Sequence, residues 1–239
     1  MTELSPHVTT ERIDAVLVVH LDDGKANALS SSMITAISDA IDQAEADDTI
    51  GAVVLHGRPG KFSAGFDLNV MRGGDMSAVV GLVSDGGDLV RRIYGSPVPV
   101  VAACTGHALA AGALILLACD LRVGSDVDCK IGLNEVAIGM VLPAWALTLA
   151  QDRLSRRHLQ LAVATAVVTA GAGAVQAGFL DNVVPDEEVL ATAIAGAQQF
   201  ATLNGRAYAG TVLALRGHVL DTMAAQLTSD REFGTSVIA

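Results

Sequence analysis

Between residues 100 and 119 the chain has only Thr105 and His107 as plainly polar residues, in a run as long as a membrane crossing. About 20 apolar residues span a bilayer. This run, however, is rich in Ala and Gly, is broken at Gly106 and Gly112, and follows Pro97 and Pro99. It reads as a buried strand, a turn and a buried helix packed at short backbone distances, and not as a lipid-facing span.

An α/β rhythm surrounds it. The strand "AVLVVHL" (15–21) leads through "DDGKANALS" into a helix that Ser30 can cap. In that helix Met33, Ile34, Ile37, Ile41 and Ala44 recur at three- and four-residue spacing and lay one apolar stripe against a sheet. The strand "GAVVLHG" (51–57) follows, then a weaker helical region over 76–94 that Gly86 and Gly87 interrupt, then the strands "VPVVAAC" and "DLRVGS". Strand, helix, strand repeats predict a parallel α/β fold. From Pro143 the pattern is helical, with "VVTAGAGAVQAGFLDNVVP" as a break before two last helices over 187–203 and 208–226. No linker, repeat or low-complexity tract divides the chain.

Composition narrows the function. At 239 residues and 51% hydrophobic content the chain can bury one sizeable core. Fifteen basic against 26 acidic residues give a net charge of −11, which opposes nucleic acid and anionic membranes as default partners. Cys104, Cys119 and Cys129 form no CxxC pair and sit in apolar surroundings, so they are expected to be buried reduced thiols in a cytoplasmic protein. The N-terminal "MTELSPHVTTERID" lacks a basic region followed by an apolar one, so no export signal is expected.

Several apparent signals carry little. "GAGAVQAG" is not GxGxxG, follows no early strand, and reads as a helix-capping turn. Ser63, His107 and Asp67 have the residue types of a hydrolase triad but no GxSxG elbow. The six histidines form no metal-ligand cluster. Two loops say more: "FSAGFDL" and "TGHALAAGALIL" each join a strand to a helix through small residues and could expose backbone N–H groups to a developing negative charge. Further on, "GLNEVAIGMVLPAW" holds one acid, Glu135, in an otherwise uncharged stretch.

Together with "GHALAAGALILLACDLRV" and "AGAVQAGFLDNVVP", these stretches occur in the order and spacing of the crotonase (enoyl-CoA hydratase/isomerase) superfamily, and the early "KANAL" resembles its CoA loop. The resemblance runs from about residue 15 to residue 185. It implies a spiral of ββα units over 1–185 (the ClpP/crotonase-like fold) and a C-terminal helical region over 186–239 that forms a trimer or a dimer of trimers. It also implies an acyl-CoA thioester substrate, with coenzyme A as part of that substrate and no separate cofactor or metal. The thioester oxygen would sit on the main-chain N–H groups of Phe66 and Ala111, which hold an enolate. Lys25, Ala26, Ala64, Gly65, Asp67, Leu68, Gly112, Leu114 and Trp145 would bind substrate, with Met140 in the acyl pocket or the core. For the CoA phosphates only Lys25, Arg58, Lys61 and the mid-helix Arg216 stand out as cations. His107 adjoins the second loop without a defined role, and Asp120 reads as a structural acceptor at a strand start.

Hydratases of this superfamily carry two glutamates, one at the position of Leu114 and one at that of Glu135. With Leu114 apolar, a single acid remains, the pattern of mitochondrial-type Δ3,Δ2-enoyl-CoA isomerases. One carboxylate suffices to take a proton from C2 and return it at C4. Enoyl-CoA hydratase is the alternative, and a non-catalytic acyl-CoA-binding protein is the reading from a different class.

Overall fold

The computed structural model describes residues 1–234. An antiparallel meander opens the chain: β1 (Thr2–Ser5), β2 (Val8–Ile13) and β3 (Val16–Leu21) pair in order. Helix α1 (Ser31–Ala46) crosses to β4 (Ala52–Gly57), which pairs parallel to β3 with Val16 opposite Ala52. Ser30 caps α1 through its hydroxyl, which accepts from the Met33 N–H at 3.3 Å. Strand β5 (Gly60–Ser63) then leaves that sheet, and α2 (Leu68–Met71) and α3 (Met76–Tyr94) lead back to β6 (Val100–Cys104). The next turns of the spiral are β7 (Gly106–Leu109) with α4 (Ala111–Ala118), then β8 (Leu121–Ser125) with β9 (Ile131–Gly132). Helices α5 (Ala144–Arg153), α6 (Arg156–Val163) and α7 (Gly171–Ala177) precede β10 (Asn182–Val184), and α8 (Val189–Phe200) and α9 (Gly205–Phe233) complete the described chain.

The strands form a seven-stranded sheet in the order β1-β2-β3-β4-β6-β8-β10 and a three-stranded parallel sheet in the order β5-β7-β9. Each strand of the small sheet directly follows one of the large sheet, so β4–β5, β6–β7 and β8–β9 are successive ββ units of one spiral. Alternation along the large sheet feeds two cores: Leu17, Val19 and Leu55 face one, while Val16, Val18, Ala52 and Val54 pack on Val189, Ala193 and Ala197 of α8. Helix α9 lies along α3 and α5. The 100–119 run becomes β6, β7 and an eight-residue α4 with every residue buried; no described helix is long and apolar enough to cross a membrane.

Three expectations need correction. The large sheet is mixed, because the N-terminal meander is antiparallel; its strand β2 hides behind polar residues such as Thr9, Glu11 and Arg12. Strand periodicity alone does not show the second sheet, since β5, β7 and β9 are two to four residues long; only the ββα units of the family resemblance implied it. Gly86 and Gly87 do not interrupt α3: a Cβ on Gly86 would lie 2.3 Å from the Phe66 ring, and one on Gly87 2.5 Å from Leu227 and 2.8 Å from Trp145. These glycines admit neighbours, and the rest of the helix carries the propensity cost. Lastly, "GAGAVQA" is itself the short helix α7, and only Gly178, at φ +97°, is the capping residue.

Candidate active site

Two backbone donors are set free by local geometry. After β5 the chain turns at Gly65 (φ +90°), and Phe66 forms an isolated parallel bridge with Leu29. The Leu29 N–H donates to the Gly65 carbonyl at 2.8 Å and the Asp67 N–H donates to the Leu29 carbonyl at 3.2 Å. Backbone groups alternate along an extended segment, so the Phe66 N–H points away from Leu29, and it has no acceptor among the described residues. At the second loop Ala110 takes φ +50°, a backbone strain of about 1–3 kcal/mol for a residue with a Cβ, while its N–H donates to the Gly132 carbonyl at 3.0 Å. Ala113 and Leu114 bond back to the Ala110 carbonyl, and the Ala111 N–H at the start of α4 has no acceptor among the described residues.

The loops are pressed together. A Cβ on Gly65 would lie 2.9 Å from the Ala110 Cβ and 3.3 Å from the Ala111 nitrogen, and one on Gly112 would lie 2.4 Å from the Ser63 carbonyl oxygen. Only glycine permits this approach, and it brings two free donors to one spot where an oxyanion could rest.

Beside them lies a cavity of about 240 Å³ walled by Ala64, Phe66 and Leu68, by Ala110 and Leu114, and by Glu135, Pro143 and Trp145. Glu135 follows β9 at the head of a single 3₁₀ turn, Val136–Ile138, and is 6% exposed. Its Oε2 has no hydrogen-bond partner. Burial raises its pKa to about 7, against the lowering effect of a hydrogen bond from its own backbone N–H. Among the described residues no other carboxylate lines the cavity, and the 1%-exposed Leu114 contributes only hydrocarbon. A larger groove of about 670 Å³ runs between α1 and α3, but its charged groups pair with one another, Arg92 with Glu45 and Arg91 with Asp88.

The family model described as enoyl-CoA hydratase/isomerase matches residues 11–239. The chain belongs to the enoyl-CoA hydratase/isomerase family. Among curated relatives, human mitochondrial enoyl-CoA delta isomerase 1 is 30% identical over 94% of this chain and 75% of its own length. A probable enoyl-CoA hydratase of Bacillus subtilis is 32% identical over 81% of this chain and 75% of its own. Among solved structures, an enoyl-CoA hydratase/isomerase family protein from Pseudomonas syringae is 40% identical, with a TM-score of 0.92 over 97% of this chain and 99% of that one.

Within this family frame, the sequence-derived residues fall into two groups. Ala64, Phe66, Leu68, Leu114, Glu135 and Trp145 line the cavity, as does Met140. Gly65, Ala111 and Gly112 do not line it but pack beside the lining residue Ala110 and against Ser63, and Lys25 and Ala26 lie on the adjoining loop, where the Ala26 carbonyl accepts from the Ala64 N–H at 3.0 Å. Asp67 caps α2 by accepting from the Asn69 N–H at 2.8 Å. Ser63, His107 and Asp67 make no triad: the Ser63 hydroxyl accepts from the Gly65 N–H, and His107 Nδ1 accepts from the Lys130 N–H at 2.9 Å. That bond gives His107 a structural task, and burial followed by Lys61 and Lys130 lowers its pKa.

Arg216 is corrected outright as a phosphate ligand. Buried to 8% exposure, it donates to Asp120 Oδ1 and to the Tyr94 carbonyl, both at 2.8 Å. Asp120 is the structural acceptor expected, taking Val100 N–H and Tyr208 O–H on its other oxygen. Arg58 donates to the Lys25 carbonyl at 2.7 Å and pairs with Asp22, so it holds the loop's shape.

Sequence reasoning missed Met71 and Arg72, which line the cavity together with Asn134 and Ile138, and Asn27, whose buried amide donates to the Leu21 and Phe62 carbonyls and pins the "KANAL" loop. Asn27 stands at φ +51°. An Asn beside a turn is the one signal that could have marked it.

Proposed function

We propose that this chain moves the double bond of a 3-enoyl-CoA to the 2-position, with Glu135 as its one proton shuttle. The observation that carries this reading is that, among the described residues, Glu135 is the single carboxylate lining a cavity in which Leu114 stands where the resemblance to hydratases puts a second glutamate. The ionised Glu135 takes a proton from C2, and the C2–H electron pair conjugates through the thioester carbonyl. Charge then collects on the thioester oxygen, where the Phe66 and Ala111 N–H groups stabilise it; one such donor is worth about 2.7–4 kcal/mol in other enzymes. Protonated Glu135 returns the proton at C4, the C3–C4 double bond becomes C2–C3, and the carbonyl is restored. A carboxyl pKa near 7 suits both halves of that exchange near neutral pH. Hydration would require a second group to hold and activate water, and Leu114 offers none. The scheme calls for no metal or separate cofactor.

The name of the human relative supports this reading, and that of the Bacillus relative sets the competing one. Product analysis on 3-enoyl-CoA and 2-enoyl-CoA separates them. Interconversion of the two isomers with no 3-hydroxyacyl-CoA is the expected result, and hydration as the main reaction overturns it. A protein that binds the thioesters yet exchanges no C2 proton with deuterated water is a binder only. The reading extends to a cytoplasmic homotrimer or dimer of trimers; the three free cysteines support a reducing compartment.

A further inference from the structure

The cavity that holds Glu135 does not end at Trp145. A second space of about 180 Å³ adjoins it, and Leu68, Met71, Arg72, Ile138 and Met140 line both. The pair forms one passage that leaves the Ala64 and Glu135 end and runs out between α2 and the 3₁₀ turn after Glu135. Four of the five shared residues are apolar, as a hydrocarbon chain requires. The fifth is an arginine, placed where α2 ends.

Arg72 has nothing to do there for the fold. The buried arginines Arg122 and Arg216 are held by carboxylates, Asp181 and Asp120. The Arg72 side chain has no hydrogen-bond or ion-pair partner among the described residues. Its nearest acid in sequence, Asp75, is occupied in capping α3, where Oδ1 accepts from the Ser77 and Ala78 N–H groups. The exposed guanidinium presents a planar fork that matches a carboxylate.

We infer that Arg72 recognises the far end of the acyl chain, and that the enzyme prefers acyl-CoA substrates whose distal carbon carries a carboxylate. This rests on the isomerase reading above. It requires that the chain be long enough to reach from the Phe66 and Ala111 donors past Met71, so the preference should appear at one length and not at shorter ones. Where the site is solvated, the fork is worth less than a buried bidentate pair, and a preference of roughly tenfold is the scale expected.

The test uses 3-enoyl-CoAs of rising length, each as a methyl-ended and a carboxyl-ended twin, with kcat/KM measured for the wild type and for Arg72→Gln. The expected result is a length at which the wild type favours the carboxyl-ended twin by roughly tenfold, and loss of that preference in Arg72→Gln. Methyl-ended substrates favoured at every length, or a preference that survives Arg72→Gln, overturns the inference. If the wild type isomerises neither twin, the function proposed above has failed and calorimetric binding of saturated acyl-CoA twins decides. Tighter binding of the carboxyl-ended twin that depends on Arg72 upholds the inference even then, and equal affinities end it.

Discussion

Asp120 and Glu135 are both carboxylates drawn away from water, and the chain treats them in opposite ways. Asp120 meets Arg216, Tyr208 and the Val100 N–H, so both of its oxygens are occupied. Arg216 in turn lies over the Tyr94 ring at 4.6 Å, which locks α9 onto the end of α3 and the start of β8. Glu135 is more deeply buried, yet its Oε2 is bare, and the Asn134 Oδ1 and Trp145 Nε1 of the same cavity are bare as well. A buried polar atom without a partner costs about 1–3 kcal/mol. Partnered burial here holds the fold, whereas the bare atoms of Asn134, Glu135 and Trp145 share one cavity that a substrate would fill, apart from bare atoms elsewhere such as Ser84 Oγ.

The largest expected effect tests the bare side of that contrast. Glu135→Gln keeps the size of the side chain and removes the base. Isomerisation and C2 proton exchange should both fall by about 10²–10⁴-fold, while affinity for a saturated acyl-CoA changes little. Parent-like turnover in this variant would show that Glu135 is not the shuttle.

The partnered side should respond in the opposite manner. Arg216→Met strands Asp120 in a site where the two side chains are 11% and 9% exposed. Removing one partner of such a pair costs about 3–5 kcal/mol, so the urea midpoint should drop sharply while kcat of the molecules that remain folded holds. A loss of kcat with unchanged stability would place Arg216 in the site after all.

How much of this was legible in the sequence depends on how far apart the interacting residues are. Glu135 could be read directly, because an acid alone in "GLNEVAIGMVLPAW" needs a reason. The two donor loops were visible through their small residues, and their family spacing assigned Phe66 and Ala111. Arg216 was misread because its partner Asp120 lies 96 positions away, and an arginine in mid-helix looks free until the helix is packed. Gly86 and Gly87 looked like breaks for the same reason: the Phe66 and Trp145 rings that need their space come from other elements. Local pattern reports periodicity and caps, but the residues that fill a given hole are set by topology. Arg72 is the extreme case, since nothing local separates it from an ordinary helix-end cation.

The charge on Glu135 gives an intermediate effect, carried by pH. Its folded pKa of about 7 lies above the ordinary carboxyl value of 4.5, because burial disfavours the ion. Between those two values the folded state keeps a proton that the unfolded chain releases. Stability in the absence of ligand should therefore decline as pH rises through this window, by about 3 kcal/mol in all, and level off above it. Glu135→Gln has no such proton to lose, so its melting temperature should match the parent at the acid end and exceed it above neutrality. The same ionisation should give kcat/KM of the parent an acidic limb near pH 7. Equal melting differences at all pH values would mean that the carboxylate is solvated or paired.

Asn134 allows the smallest and sharpest test, because it isolates the cost of an unpartnered atom from any charge. Its Oδ1 lies against the cavity with no donor in reach, and the fold gains nothing visible from it. Leu has nearly the same shape and no polar atom. Replacing an unsatisfied buried group with an apolar one of its own size is neutral or stabilising, so Asn134→Leu should raise stability by about 1 kcal/mol. For a domain of this size that is a rise in melting temperature of about 2–4 °C. If the bare oxygen serves substrate or positions the Glu135 loop, kcat/KM should fall in the same variant, a stability gain coupled to an activity loss. A fall in stability would instead reveal that Asn134 already has a partner, a bound water for instance, and would move it to the side of the molecule where Asp120 stands.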